Sequence, residues 1–539
     1  MFSLALPLLS LYLSPALAAT AEQWRSRSIY QIITDRFALP QGADLNACDP
    51  GKQTWCGGTW NTIRENLDYV QNAGFTAIWI SPVNQNYEGP RSAYGDPYHG
   101  YWMADVSKLN DRFGTADDLK ALSAELHKRD MYLMVDVVVN NVMATSLSPD
   151  YSTYMFKDSS MYHPYCPIQW GNTTSEQHCW LGDEKVPLPD LDTTNPTVIS
   201  QYGDWIQDLV KEYDIDGLRI DGAHVQMDFW PGFCAKAGVF CMGEVFGGID
   251  IDAVSMYQGP QSLDSVLNYP LYTALVSAFQ IPGPGNMTAL ADVIEASKSK
   301  YTDTGLLGNF LENQDLPRWH NLSVDPQSMY NAMTVNFMTD GIPVVYYGQE
   351  QLFSGGGDPY NREALWPSSY EKTYAYGLMS TLNQLRNFLA NTTDWLKQET
   401  NVLTTSPYGM GIMKGSVISI VTNIGSPPQN GTHIAVATPF DPSTPMTNIL
   451  TCQQWAVGSQ GMVEAQYTAG GVPVIIIPSD HLAGSGICGA ALATTAANGG
   501  KADKLSSSAS SSFDPRQSPL LSITLHVLSC SLMALFFFV

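Results

Sequence analysis

The sequence predicts an α/β fold: a (β/α)8 barrel, an inserted domain after its third strand, and a C-terminal antiparallel β-sandwich domain. Three observations predict it. Eight short, apolar, β-rich runs recur through the first 350 residues. Amphipathic helical patterns lie between them. From about residue 401 the pattern changes to closely spaced short strands.

The eight runs are 28–37 (SIYQIITDRF), 75–83 (FTAIWISPV), 132–140 (YLMVDVVVN), 217–224 (GLRIDGAH), 239–246 (VFCMGEVF), 263–270 (LDSVLNYP), 305–313 (GLLGNFLEN) and 342–350 (IPVVYYGQE). Several are too continuously apolar to keep a solvated face, as parallel strands covered on both sides require. Residues 115–130 place Leu119, Leu122 and Leu126 on one helical face, with Thr115 as the N-cap. Residues 196–213 open with Pro196, which suits the first helical turn. Strands alternating with helices in this way imply a barrel, here spanning 19–400. The stretch from Asn140 to about Thr194 is too long for a simple strand-to-helix loop. It is read as an inserted domain at 141–194. Runs such as GSVISIVTN and VPVIIIPS then mark a β domain at 401–490.

The two ends carry sorting patterns. Residues 1–18 are apolar and end in Ala-Leu-Ala, the form of a secretory signal peptide without its basic start. Residues 491–518 make a Ser-rich linker and 519–539 a hydrophobic tail, the arrangement of a GPI-anchor signal. A tail retained as a plain span would ordinarily be followed by basic residues, and none follow. The expected destination is the cell surface, at the outer face of the plasma membrane or in the wall.

Nine cysteines fit that oxidising route. Cys530 lies in the tail. Neighbours in sequence suggest the pairs Cys48–Cys56, Cys166–Cys179, Cys234–Cys241 and Cys452–Cys488, although spacing leaves the connectivity open. Five N-x-S/T sequons begin at Asn172, Asn286, Asn321, Asn391 and Asn430. The net charge of −24, from 27 basic and 51 acidic residues, argues against nucleic acid or an anionic membrane surface as partner. A neutral substrate fits better, and 13 Trp and 27 Tyr supply rings on which sugar faces stack. The chain is expected to act as a monomer.

In such a barrel, reacting groups sit at the C-terminal ends of the strands. The acids placed there are Asp136, Asp221, Glu244, Glu312 and Asp315. Arg219 lies two positions before Asp221, on the same side of an extended chain. A guanidinium there is expected to lower the pKa of Asp221 and suit it as a nucleophile. An apolar approach is expected to raise Glu244 and suit it as a general acid. Asp315 closes the seventh run as a third carboxylate. Retaining glycoside chemistry needs this set: one carboxylate attacks the anomeric carbon while an acid about 5–5.5 Å away protonates the leaving oxygen. Any one of these acids alone is more simply a cap or a solvated loop residue. Three at successive strand ends are not.

The chain resembles the fungal α-amylases of glycoside hydrolase family 13 in DVVVNN (136–141), GLRIDGAH (217–224), GEV (243–245) and FLENQD (310–315). YHGYW (98–102), LPDLD (188–192) and GGDPYNRE (356–363) extend the likeness over about Thr20 to Gly489. The resemblance implies Asp221 as nucleophile, Glu244 as acid/base, Asp315 as transition-state stabiliser and Arg219 as the residue orienting Asp221. It implies Tyr101 stacking on the sugar at the cleaved bond, with Trp102 nearby. Asp358 and Arg362 would bind the next sugar on the non-reducing side, and His224 the acceptor side. Asp136 holds a position that is structural as well as functional in the family. A calcium ion is implied too, held by Asn140, Asp190, the main-chain carbonyl of His224 and a fourth ligand near Gln177, where fungal amylases carry an acid. Glu176 adjoins that position.

Three departures stand out. Asn141 and Gln314 occupy positions where the family usually has histidines contacting the sugar at the cleaved bond. Asn and Gln donate neutral hydrogen bonds but carry no proton. Between Asp221 and His224 only Gly222 and Ala223 remain, where fungal amylases have three residues including a Lys. With the anchor signal, these changes resemble a subgroup of fungal GPI-anchored 4-α-glucanotransferases acting in cell-wall α-glucan metabolism. The resemblance implies a retaining enzyme on α-1,4-glucans that favours transfer. A slow secreted α-amylase is the alternative, and a non-catalytic wall glucan-binding protein a distant one.

Overall fold

The computed structural model describes residues 19–45, 48–428 and 432–490. The predicted signal peptide, linker, hydrophobic tail and the Asn430 sequon fall outside these residues. Among the described residues, no helix is long and apolar enough to cross a membrane.

Eight parallel strands form the centre: β1 (Ile29–Ile32), β2 (Ala77–Ile80), β3 (Tyr132–Val138), β4 (Gly217–Asp221), β5 (Phe240–Gly243), β6 (Ser265–Val266), β7 (Gly308–Asn309) and β8 (Ile342–Tyr346). Each falls inside one of the predicted runs. The sheet runs β6-β5-β4-β3-β2-β1-β8-β7. A parallel bridge between Leu267 and Gly308, with the Asn268 N–H donating to the Gly308 carbonyl at 2.8 Å, joins its two edges into a barrel. Side chains alternate across the strands as the pleat requires. Ile29, Trp79, Met134, Met242, Leu267 and Val344 fill the interior. Tyr30, Ile78, Leu133 and Leu218 face the helices.

β6 and β7 are shorter than their runs because the chain around them leaves the ladder early. A Cβ on Gly308 would lie 2.7 Å from the Met242 sulfur and 2.9 Å from a Leu267 methyl. Only glycine lets this pair of strands meet. Thus 310–315 is a loop and not a strand end, and Asp315 stands six positions beyond β7.

The helix Ala116–Lys128 begins at Thr115 with a capping box, and Pro196–Tyr213 begins with its proline. The segment between β3 and Pro196 has no long element: short 3₁₀ turns, the small sheet of 181–182 with 187–188, and the Cys166–Cys179 disulfide. It leans on a hairpin of Asn84–Asn86 with Met103–Leu109, which sequence reading did not anticipate. Trp102, Met143 and Val186 form the apolar contact between them.

Beyond Thr400 lies an antiparallel sheet of six strands, covered by a two-stranded ribbon of Thr432–Ala437 and Met462–Tyr467. Ile418, Ile420, Ile434, Val463 and Ile476 form the shared core of these layers. Buried Asn331, from the helix Pro326–Met338, ties the sheet to the barrel. It accepts from the Thr422 N–H at 2.8 Å and donates to the Gly471 carbonyl at 2.7 Å. All four neighbouring cysteine pairs are disulfide-bonded. Asn172, Asn286, Asn321 and Asn391 are exposed.

Candidate active site

Arg219 is the centre of the site. It projects from β4 and is fully buried, so its charge is balanced by the carboxylates around it. Its Nη1 pairs with Asp136 at 3.0 Å and with Asp221 at 2.7 Å, and its Nη2 with Glu244 at 2.8 Å. One guanidinium therefore holds Asp221 and Glu244 side by side. Asp136, on β3, also accepts from the Trp79 indole at 3.0 Å and the Tyr101 hydroxyl at 2.8 Å. It is saturated by its neighbours and serves as the buried counter-charge of Arg219. Glu244 accepts from the Gly222 N–H at 3.2 Å and the Tyr269 hydroxyl at 2.9 Å. Gly222 adopts φ +53°, so the shortened 222–223 loop turns there and delivers its N–H to the acid.

The electrostatics invert the expected split. Burial pushes Asp221 up to about 7 despite Arg219, with Glu244 and Asp315 adding to the rise. Desolvation within the cleft and the charge of Glu244 push Asp315 up, opposed by Arg362; with nearly half of its side chain open to solvent, Asp315 is raised less firmly than Asp221. Glu244 is buried too, but Arg219, the Gly222 N–H and the Tyr269 hydroxyl outweigh burial and hold it below its ordinary value. The apolar approach expected to raise Glu244 is replaced by three hydrogen-bonding partners. Several carboxylates share one guanidinium, so the cluster keeps a proton at neutral pH.

Phe310 to Leu316 is folded from within. Asn313 Oδ1 accepts from the N–H groups of Asp315 at 2.9 Å and Leu316 at 3.0 Å, and its Nδ2 donates to Tyr269 at 3.2 Å. Asn361 donates to the Gln314 carbonyl at 2.8 Å, and Arg362 to the same carbonyl at 3.1 Å. Arg362 also pairs with Asp315 at 3.3 Å and Asp358 at 3.0 Å. Asp315 is thus presented by a clamped loop, with its side chain 48% exposed. Glu312, read as one of the strand-end acids, belongs elsewhere. It is buried, pairs with Arg318 at 3.1 Å and accepts from the Trp319 N–H at 2.6 Å. It braces the loop from behind.

Tyr101, Trp102, Asn141, Asp221, Gln314, Asp315, Asp358 and Arg362 line one cavity of about 130 Å³. His224 and Gln177 are not in its lining. His224 is 6.5 Å from the Trp170 ring and 6.1 Å from Tyr257, and Gln177 hydrogen-bonds Tyr257. Trp102 is mostly buried against the inserted segment, so its main contact is structural. Gln314 accepts from the Gln31 side chain at 2.6 Å, while its own Nε2 is buried with no protein partner. Leaving such a donor unpaired costs about 1–3 kcal/mol.

Sequence reading missed three residues here. Tyr269 joins Glu244 to Asn313. Gln31 holds Gln314. His99 also lines the cavity, with its ring stacked 5.8 Å from Tyr101 and burial holding its pKa well below the ordinary value. The polar Gln31 inside an otherwise apolar β1 run was the one available signal.

The implied calcium ligands can be tested against the same structure. Asn141 and Asp190 form an antiparallel bridge, and the Leu191 N–H donates to the Asn140 carbonyl at 2.9 Å. This brings Asn140 and Asp190 together. The Oδ1 atoms of both are buried without partners, and the second oxygen of Asp190 meets His163 at 2.6 Å. Two orphaned oxygens fit a hard cation. Among the described residues, no group of three His, Cys, Asp or Glu side chains is placed to hold a metal. A site here therefore rests on amide and carbonyl oxygens around one carboxylate.

The described geometry has counterparts. Residues 31–373 match the family model of the α-amylase catalytic domain, and 402–496 that of α-amylase domain C. The chain belongs to the α-amylase family of glycoside hydrolases. It is 41% identical over 483 residues to α-amylase 2 of Schwanniomyces occidentalis, covering 87% of this chain and 94% of that one. It is 49% identical over 374 residues to α-amylase 1 of Lipomyces kononenkoae, covering 68% of this chain but 59% of that longer protein. The solved α-amylase of Malbranchea cinnamomea superposes with a TM-score of 0.84 at 40% identity, over 87% of this chain and all of that one, 100%. This amylase-family glycosidase carries a barrel followed by an antiparallel domain.

Proposed function

We propose that the enzyme cleaves α-1,4-glucosidic bonds of starch-type glucans with retention and passes the glycosyl group mainly to another glucan. The observation carrying the retaining reading is Arg219, which holds Asp221 and Glu244 on adjacent nitrogens. Sharing one guanidinium keeps the two carboxylates near each other, which favours the short separation of direct attack over the wider one that inversion needs for its water. Asp221 attacks the anomeric carbon. Glu244 protonates the leaving oxygen and later deprotonates the acceptor hydroxyl. Asp315 faces the developing positive charge. As it develops, that charge favours the ionised forms of Asp221 and Asp315, so the proton retained by the cluster is delivered through Glu244 to the leaving oxygen.

The preference for transfer rests on neutral Asn141 and Gln314 in the cavity and on the two-residue turn at Gly222 and Ala223. Water and a sugar hydroxyl compete for one covalent intermediate. The names of the relatives favour a second reading, a slow α-amylase. Incubation with a single maltooligosaccharide separates them. Products longer than the starting oligomer are expected, and their absence at every time point overturns the transferase reading. Calcium, where bound, would be held by Asn140, Asp190, the His224 carbonyl and the neighbourhood of Gln177, and would tie the inserted segment to the barrel. A GPI anchor would place the enzyme at the cell surface, where its predicted glucan lies.

A further inference from the structure

We infer that Gln31 is a positioning residue for the reaction, acting through Gln314; the inference rests on the proposed retaining reading. Gln31 sits on β1, 2% exposed, between Tyr30 and Ile32 that are buried in the core. Its Nε2 donates to Gln314 Oε1 at 2.6 Å. That contact occupies the carbonyl of Gln314 and leaves its Nε2 as the buried donor without a protein partner. Gln314 lines the cavity beside Asp221 and Asp315. Its backbone is already fixed, because Asn361 and Arg362 hold its carbonyl. Only the terminal amide remains free to turn, and a primary amide offers an acceptor on one side and donors on the other. The contact from Gln31 holds the end of that amide in place, and the pair leaves Gln314 Nε2 and Gln31 Oε1 buried without protein partners.

The consequence is a coupled pair. Gln31 is not itself in the cavity lining and reaches it through Gln314, so it acts only while Gln314 is present. The test is a double-mutant cycle on a maltooligosaccharide, with thermal midpoints measured for every variant. Gln31→Leu is expected to lower kcat/KM about tenfold, mostly in kcat, because the donor matters most once the bond is breaking. Gln314→Leu is expected to lower it by as much or more. The double variant should match Gln314→Leu alone. Gln31→Met supplies a second probe of similar volume should Gln31→Leu fold poorly. Wild-type kcat/KM in well-folded Gln31→Leu or Gln31→Met, or losses that multiply in the double variant, overturns the inference. An Asp221→Asn control that stays active would instead overturn the underlying reading and leave the Gln31–Gln314 cycle to be judged separately.

Discussion

Glu312 and Asp315 lie three residues apart, and the structure gives their removal opposite consequences. Glu312→Ala strips a buried carboxylate from Arg318 and the Trp319 N–H. Arg318 is fully buried and keeps the Tyr347 carbonyl at 2.6 Å and Glu363 at 3.1 Å. Breaking a buried pair costs about 3–5 kcal/mol, and the remaining partners place this case near 4. At about 2 °C per kcal/mol for a large domain, the thermal midpoint should fall by about 8 °C. Burial raises Glu312 to about 7, against Arg318. Its folded form therefore binds a proton more tightly than its unfolded form. The stability it contributes is full below its unfolded value of about 4.3 and is lost as pH rises through 7, so the deficit should be larger at pH 5 than at pH 8. Asp315→Asn should leave the midpoint within about 1 °C and lower kcat by roughly 10²–10³, as for loss of one preorganised stabilising group. The assay is kcat per folded molecule beside the thermal midpoint, at both pH values. A Glu312→Ala variant with an unchanged midpoint and no activity would refute this division of labour, as would a fully active Asp315→Asn.

Four further outcomes follow from the same contacts. Asp221→Asn should lower kcat by about 10³ or more, at least 4 kcal/mol of transition-state stabilisation, while binding of a maltooligosaccharide persists in calorimetry. Since burial pushes Asp221 up to about 7, kcat/KM should fall about tenfold per pH unit above 7 as the cluster loses its last proton; a plateau to pH 9 would contradict this. Asp35 and Asp136 are also buried and raised to about 7, so the stability each contributes is full below about 4 and lost through 7; the midpoint should be higher at pH 5 than at pH 8 in differential scanning calorimetry. Chelator treatment should lower the midpoint by several degrees with recovery on adding calcium, and Asp190→Asn should lose that response; metal analysis of untreated protein finding no calcium would count against the site.

The barrel was legible because its strands are covered on both faces. Runs such as YLMVDVVVN suit strands covered on both faces, and together the eight runs located every strand of the barrel. Their lengths were not legible at β6 and β7, where contacts between Gly308, Met242 and Leu267 decide how far the ladder extends. The acids were legible as a set, since strand ends are where such a barrel exposes chemistry. Their proton affinities were not. Sequence separation placed Arg219 beside Asp221, but it could not show the same guanidinium reaching Glu244 and Asp136 from neighbouring strands. Glu312 was misplaced for a related reason: its partner Arg318 lies six residues later, and a loop was needed to bring the two together. Tyr269 and Gln31 act across strands, which no local pattern records.

The closing contact between β6 and β7 has a mechanical consequence. The five joints running from β8 through β1 to β5 pair three to five residues each, those of β5 with β6 and of β7 with β8 pair two, and β6 meets β7 through a single bridge at the bare backbone of Gly308. The chain carrying Asn313, Gln314 and Asp315 leaves the wall just beyond this narrow zip. Should the cylinder breathe, it would part here first, and amide exchange at Leu267 and Asn268 would outpace that of β3 and β4. The loop facing the sugar would move with whatever opens beside it, while the wall that bears Arg219 and Asp221 stays shut. One side of the catalytic mouth is thus a fixed jaw and the other a hinged one.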